Sequence, residues 1–487
     1  MAKKQKGRDL SQIDIFDEIH DRQLTEEQRT FIEFKGKESI VLSAVAGSGK
    51  TFSCVERLKN LIRRGVDPSR IIFFSFTKAA TEELKSRIGN DQIKITTIHS
   101  FCFHILNKAG KWKDVTSWFD FVKWYKEQFS PPRHASSEEK EEFYTNISEM
   151  YTSADVISSK IAAYKLMQAE GEKSAFPNFL LEYERFQRET YARDFSDMLI
   201  EVDKLFKDDK WLKMFKGKYD YIFVDEFQDT SALQLRVLLS LNARYYYLIG
   251  DIFQSIYGYS GANANRLIKM LSDRRKSKEM TLTVNFRSDI EIVNNSNSYS
   301  ELEAQPNSPM PGEVDYIIRT STQELITILD NSRECAVLVR TNAVIRQLEK
   351  KLLVERYPMR YENYLTKKDL DDMKKNKSNP VLDRKVKDMQ SHFDSPQELI
   401  AFIKINEDSK KFITTIHKSK GREFEDVVVV NSCAPEILID NGFVLPKKEL
   451  KKVSFNYDAK DREAQNIHYV AVTRAKHKLF YMLWGIM

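Results

Sequence analysis

The sequence predicts an α/β protein made of two parallel-sheet domains in tandem. Short β-branched and aromatic runs recur at 39–43, 71–76, 221–225, 246–251, 337–340 and 427–431, each ending in small or polar residues and mostly followed by helical pattern. The runs are apolar throughout rather than alternating, as strands covered on both faces require. A length of 487 residues also exceeds one ordinary core, so more than one domain is expected. In such sheets functional residues gather at the C-terminal ends of the strands.

Taken in order, residues 1–23 read as a basic tail, with Lys3, Lys4, Lys6 and Arg8 and no apolar segment of the kind a secretory signal needs. The first core domain is expected over 24–104 and 195–285. Between them, 105–194 is charged, aromatic-rich and helical in pattern, interrupted at Ser130-Pro131-Pro132, and reads as a helical insertion. The second core domain is expected over 286–364 and 412–487, with a small, lysine-rich insertion at 365–411 ahead of a strand-like run at 412–416.

Composition excludes several classes. A hydrophobic share of 41% and a charged share of 30%, with no apolar run approaching the length of about 18 residues that a span needs, argue against a membrane span. Cys54, Cys102, Cys335 and Cys433 lie tens of residues apart, which disfavours a zinc site, an iron–sulfur cluster or a disulfide framework and fits a reducing cytoplasm. A net charge of +6 says little about partners. Lysine and arginine crowd 367–387 and 404–422, but such runs are commonly solvated faces.

Two motifs carry chemistry. Ala44-Val45-Ala46-Gly47-Ser48-Gly49-Lys50-Thr51 follows a strand-like run and opens a helical stretch over 52–64. Glycines let the backbone curl so that successive N–H groups of Ala46, Gly47, Ser48 and Gly49 face phosphate oxygens. Lys50 then reaches the β and γ phosphates and Thr51 can hold Mg2+. The run 221–229 is an apolar strand ending in Asp225 and Glu226. Alone, such a pair is usually a solvated turn. Beside a phosphate loop, Asp225 suits the magnesium shell and Glu226 the orientation and deprotonation of water attacking ATP.

Further segments add a family resemblance that spans Leu24 to Phe480. They are Leu24-Thr25-Glu26-Glu27-Gln28, Phe76-Thr77-Lys78-Ala79-Ala80, Thr97-Ile98-His99-Ser100-Phe101, and the run 250–262 with Gly250, Asp251, Gln254, Tyr257 and Tyr259. They continue with Asn285-Phe286-Arg287-Ser288, the run 415–424 with His417 and Glu423, and Tyr469-Val470-Ala471-Val472-Thr473-Arg474-Ala475. In this order the chain resembles superfamily 1 helicases of the UvrD, Rep and PcrA group. The resemblance implies two RecA-like parallel-sheet domains in tandem, ATP and Mg2+ as cofactors, and 3′ to 5′ movement on single-stranded DNA and its junctions with duplex.

By the same resemblance Gln28 pairs with the adenine edge, Phe286 stacks on adenine, Glu423 touches the ribose and Gln254 senses the γ-phosphate. Arg287 and Arg474 reach the γ-phosphate across the cleft, which would make catalysis depend on domain closure. Phe76, Thr97, His99, Asn342 and His417 are expected along the strand. Tyr257 and Tyr259 are expected as a platform for stacked bases.

The sequence also departs from the group. Alanine stands at Ala44, Phe52 replaces a frequent arginine, and Ile252 and Phe253 stand where relatives often carry acidic or small polar residues. Tyr259 and Ser260 replace a common tryptophan and arginine. The large insertion usual in the second core domain is expected to be reduced to 365–411. A DNA-stimulated ATPase that switches or feeds a partner nuclease, replication or repair complex remains an alternative to an autonomous helicase. A bacterial or phage-infected cell is the expected setting.

Overall fold

The computed structural model describes residues 24–111, 115–132, 134–152, 154–256, 264–317, 321–361, 364–374, 385–386, 389–431 and 462–483. Strands β1 (Ser39–Ala44), β2 (Ile71–Ser75), β3 (Lys94–Thr97), β4 (Tyr221–Asp225), β5 (Tyr245–Gly250) and β6 (Ser277–Leu282) form a six-stranded sheet in the order β3-β2-β4-β5-β1-β6. A short pair, β7 (Val284–Asn285) with β8 (Gln305–Pro306), leads out of it. Strands β9 (Glu313–Ile317), β10 (Cys335–Val339), β11 (Lys411–Thr415), β12 (Phe424–Val430) and β13 (Ala475–Met482) form a five-stranded sheet in the order β11-β10-β12-β13-β9. Every pairing in both sheets is parallel, so each connection must cross over, usually through a helix.

The unbroken apolar runs are explained by two-sided burial. In the first sheet Val41, Ile72, Phe74, Ile222 and Val224 enter one cluster. Their neighbours Ile40, Leu42, Phe73, Phe223 and Tyr247 enter the cluster on the other face. The second sheet repeats this, with Val337, Val428 and Val430 on one side and Ala336, Leu338, Val427 and Val429 on the other. Each fully buried Val, Leu, Ile or Phe contributes about 1.5–3 kcal/mol, which fixes these strands in the interior.

The expected runs coincide with β1, β2, β4, β5, β10 and β12 to within a few residues. Phe76 falls outside β2 and is 45% exposed. Strands β3, β6, β9 and β13 are not visible as apolar runs. The first three lie at sheet edges and keep an open side, as in the alternating exposure of Ser277–Leu282. β13 is internal, but Lys476, His477 and Lys478 hide its apolar half.

Helices Trp118–Phe129, Ser137–Thr152, Ala154–Glu170 and Leu180–Thr190 bury an aromatic cluster of their own, including Phe121, Trp124, Tyr125, Tyr183 and Phe186. The next helix, Phe195–Leu205, instead joins the first sheet through Met198, Leu199 and Val202. Helix Pro396–Glu407 inserts Leu399, Phe402 and Ile403 into the second sheet's cluster, so this part of 365–411 packs onto that sheet. Among the described residues no helix is long and apolar enough to cross a membrane.

Candidate functional site

The site begins where β1 turns into helix Lys50–Arg63. Gly47 and Gly49 hold φ of +73° and +75°, the left-handed region that favours glycine. A Cβ on Gly47 would also lie 2.6 Å from the Cβ of Arg287, so close approach of the second half of the chain demands the same residue. The Phe286 N–H donates to the Gly47 carbonyl at 2.9 Å, and the Phe286 ring remains 43% exposed beside the loop. Gln28 closes a capping box with Thr25 and donates through Nε2 to the Ser48 carbonyl at 3.3 Å. The Ser48 hydroxyl is buried with no hydrogen-bond partner, which leaves a polar atom in the loop unsatisfied. Ala46 is buried behind the loop, and Thr51 follows Lys50 in the first helical turn.

The carboxylate pair faces this loop. Asp225 ends β4, and Glu226 adopts φ +51°, a strained conformation for a residue with a side chain, costing of order 1–3 kcal/mol. The turn aims Glu226 at the lysine: Lys50 Nζ lies 3.6 Å from Glu226 Oε1. Burial would lower the Lys50 pKa, but Glu226, Asp251 and Asp225 together raise it. Burial and then the Glu226 charge push Asp225 up to about 7. For Glu226, burial is outweighed by Lys50 and then Lys420, which hold its carboxyl below the usual range.

Gln228 ties this turn to β5. Its Nε2 donates to Glu226 Oε2 at 2.5 Å, and its Oε1 accepts from the Asp251 N–H at 3.2 Å. A Cβ on Gly250 would overlap that oxygen, so this glycine is required by contact.

The two sheets meet over these groups. Gln254 donates to Asp251 Oδ2 at 2.8 Å and accepts from Arg474 Nη2 at 3.0 Å. Arg474 is 2% exposed and also donates to the carbonyls of Val470 and Arg422. Burial and then Arg287 bring its pKa down to about 9. Arg287 pairs with Glu423 at 2.8 Å and donates to the Thr473 carbonyl at 2.9 Å. Glu423, expected at a ribose, is thus engaged by Arg287 and by Lys476 at 2.9 Å. Lys420 bridges the sheets, reaching Asp229 Oδ2 and the Gln254 carbonyl at 2.6 Å. The Tyr469 hydroxyl meets the Ala46 backbone and Asp251, and burial raises its pKa.

Among the described residues, those expected along a strand sit at or just past the C-terminal ends of β2, β3, β10 and β11. Thr97 caps helix Ile98–Lys108 by accepting from the Ser100 N–H at 3.1 Å. Burial lowers the His99 pKa, and the ring packs edge-on against Phe195 at 5.3 Å, a residue that is 56% exposed. Asn342 opens the helix after β10, and His417 lies 3.2 Å from Arg340 Nη1. Burial and then Arg340 bring the His417 pKa down to about 4. Tyr257 and Tyr259 lie outside the described residues.

Sequence reasoning gave no role to Gln228, Asp229, Lys420, Tyr469, Arg340 or Phe195, although Lys420 and Tyr469 stand within the motifs that carry the resemblance. For Gln228 and Asp229 a signal existed, since both follow the carboxylate pair directly. The others gain their meaning from contacts with distant segments.

Two parallel sheets, with a glycine-curled loop and a carboxylate pair on one and arginines of the second half of the chain facing them, define a protein of the tandem RecA-like class. Residues 24–275 match the UvrD/REP helicase N-terminal domain and residues 364–484 the UvrD-like helicase C-terminal domain. The chain belongs to the UvrD/REP helicase family. It is 26% identical over 489 aligned positions to a Mycoplasma pneumoniae protein named "Probable DNA helicase", covering 94% of this chain and 82% of that one. It is 27% identical over 359 positions to the "Probable DNA helicase II homolog" of Mycoplasma capricolum, covering 65% of this chain. It is 25% identical over 371 positions to the "ATP-dependent DNA helicase PcrA" of Staphylococcus epidermidis, covering 69% of this chain. The chain spans about half the length of these last two relatives, 48% and 50%.

Proposed function

We propose that the chain is an ATP-driven motor that moves 3′ to 5′ on single-stranded DNA and separates duplex ahead of it. The observation that supports this reading is the hydrogen-bonded path from Arg474 on one sheet through Gln254 to Asp251 on the other, beside Lys50 and Glu226. A change in the phosphate site is thereby transmitted to the angle between the sheets.

In this reading Lys50 and the loop N–H groups hold the β and γ phosphates, with Gln28 and Phe286 at the adenine. Glu226 orients the attacking water and takes its proton. Arg287 and Arg474 stabilise charge spreading over the transferred phosphoryl group. Thr51 and Asp225 fit a magnesium ion, because the Asp225 carboxyl is buried beside another carboxylate and its charged form is short of a cation. The ion would neutralise charge on the phosphates.

Residues 24–104 with 195–285, and 286–364 with 412–487, act as the two moving bodies, and Phe76, Thr97, His99, Asn342, His417, Tyr257 and Tyr259 contact the strand. The test is strand separation on duplexes carrying a 3′ or a 5′ single-stranded tail, with ATP and Mg2+. Unwinding of the 3′-tailed duplex alone is expected. ATP hydrolysis stimulated by single strands without any strand separation would leave a translocating or switching ATPase instead.

A further inference from the structure

We infer that the outer edge of the first sheet, around Lys94, is a second contact for a nucleic-acid phosphate backbone, distinct from the strand-facing ends of the sheets. The inference rests on the DNA-motor reading for the identity of the polyanion. Strand β3 is the edge strand, and Lys94 begins it, level with Ile72 of β2. Helix Ile98–Lys108 leaves the other end of β3 and returns alongside, so that exposed His104 and Lys108 come near Lys94. The segment before β4 brings exposed Lys218 to the same place.

Aromatic rings hold these cations in position. The Lys94 ammonium sits 5.2 Å from the centre of the Phe101 ring, which packs edge-on against Phe215 at 6.3 Å. Lys218 lies 5.6 Å from the Tyr219 ring centre.

Among the described residues these charges have no acidic partner. Neither 92–111 nor 210–218 contains an aspartate or glutamate. Among the described residues, Lys94, Lys108 and Lys218 form no ion pair. Asp220, close to Lys218 in sequence, is taken by Arg70 at 2.6 Å and Arg244 at 3.1 Å. The next helix along shows the ordinary arrangement, with Lys85 paired to Glu82 and Arg87 to Glu83.

Burying part of a lysine among like charges costs free energy, and burial followed by Lys218 does lower the Lys94 pKa. One lysine suffices to block strand addition at a sheet edge, so the cluster exceeds what that protection needs. A polyanion would supply the missing charge. The length of β3, roughly 10 Å for its few residues, separates Lys94 from Thr97, so a backbone passing Thr97 and His99 can continue down this edge.

The test uses the full chain with Lys108→Glu and Lys218→Glu combined, both exposed and outside the ATP site. Binding to a 3′-tailed duplex and to a single strand of about ten nucleotides is titrated against NaCl. On the tailed duplex the variant is expected to lose about tenfold or more in affinity, and its log–log salt slope to fall by about two, one unit for each lost phosphate contact. Binding of the short strand should hold, and Lys94→Gln should repeat the effect at smaller size. Unchanged affinity and slope on the tailed duplex would overturn the inference. So would poly-glutamate that binds the wild type and not the variant while DNA binding stays equal, since the patch would then serve an acidic protein. Wild-type ATPase that no DNA stimulates would count against the motor reading alone, because this surface is read by equilibrium binding.

Discussion

The two sheets share one architecture and use it oppositely. At the end of β1 the first sheet offers backbone: a curled loop with two left-handed glycines, backed by Lys50. At the ends of β10 and β11 the second sheet offers side chains, Arg340, Asn342 and His417, and it sends Arg474 from the connection between its last helix and β13. Backbone N–H groups can enclose a phosphate without closing anything, whereas long cationic side chains can act across a gap that opens and shuts. In the proposed function this difference divides phosphate binding and hydrolysis between the halves, so that hydrolysis would depend on their closure.

The largest effect should come from the half that binds. Lys50→Ala is expected to lower turnover by about a thousandfold or more, since the γ-phosphate loses its fixed counter-charge, while single-strand binding persists. Glu226→Gln should retain ATP in the presence of Mg2+ and lose roughly a hundred- to ten-thousandfold in rate. Phosphate-release assays beside nucleotide-binding titrations separate the two, and near wild-type turnover in either variant would remove that residue from the chemistry.

The closing half is expected to behave differently. Arg287→Ala and Arg474→Ala should each cut kcat by about a hundredfold or more with a smaller change in nucleotide affinity, as for groups acting mainly in the closed transition state. They should differ in stability. Arg474 is buried and bonded to Val470, Arg422 and Gln254, so its truncation leaves several acceptors unpaired and should cost about 2–4 kcal/mol. Arg287 has fewer such partners and should cost less. Equal loss of affinity and no loss of maximal rate would make the arginines binding groups instead.

A third experiment addresses the contact between the halves. Phe253 is 3% exposed, packs against Tyr469 at 6.3 Å between ring centres and lies under Arg462 at 5.0 Å. Phe253 and Ile256 belong to the hydrophobic cluster of the second sheet. Phe253→Asp should remove about 2–3 kcal/mol of apolar burial and loosen the nucleotide-free pair of sheets. An increase in radius of gyration is expected in solution scattering without ATP, and an unchanged value would show that Lys420 and Arg474 suffice to hold the halves together.

The smallest effect concerns pH. The His417 pKa is down at about 4, whereas the unfolded chain takes up that proton near the ordinary value of about 6.5. Between these values the unfolded state binds more protons, so stability is present above pH 6.5 and is lost as pH falls toward 4. His417→Gln should flatten this part of the stability curve by about 1–2 kcal/mol between pH 7 and pH 5, after allowance for partial exposure. Parallel urea midpoints for the two proteins would contradict it.

The sequence by itself determined whatever depends on neighbouring residues. Strands covered on both faces show as unbroken apolar runs, and a loop that binds phosphate through its own backbone must carry its glycines, Lys50 and Thr51 in consecutive positions. Asp225 and Glu226 were legible as a candidate pair only because the same chain carries the phosphate-loop pattern, since two carboxylates at a strand end are by themselves usually a solvated turn. The edge strands were not legible, since half-exposed strands lose the apolar signal, and three lysine-rich positions around His477 masked an internal one. The tertiary structure alone decided which charges meet. Gln254 and Arg474 are 220 positions apart and Lys420 and Asp229 191, and no local pattern encodes such pairs. The same holds for Lys94 and Lys218, which are brought together only by the order of β3, β2 and β4 in the sheet. Propensity and spacing act along the chain, whereas charge pairing and desolvation act through space, and here the packing of two sheets sets the distance over which they act.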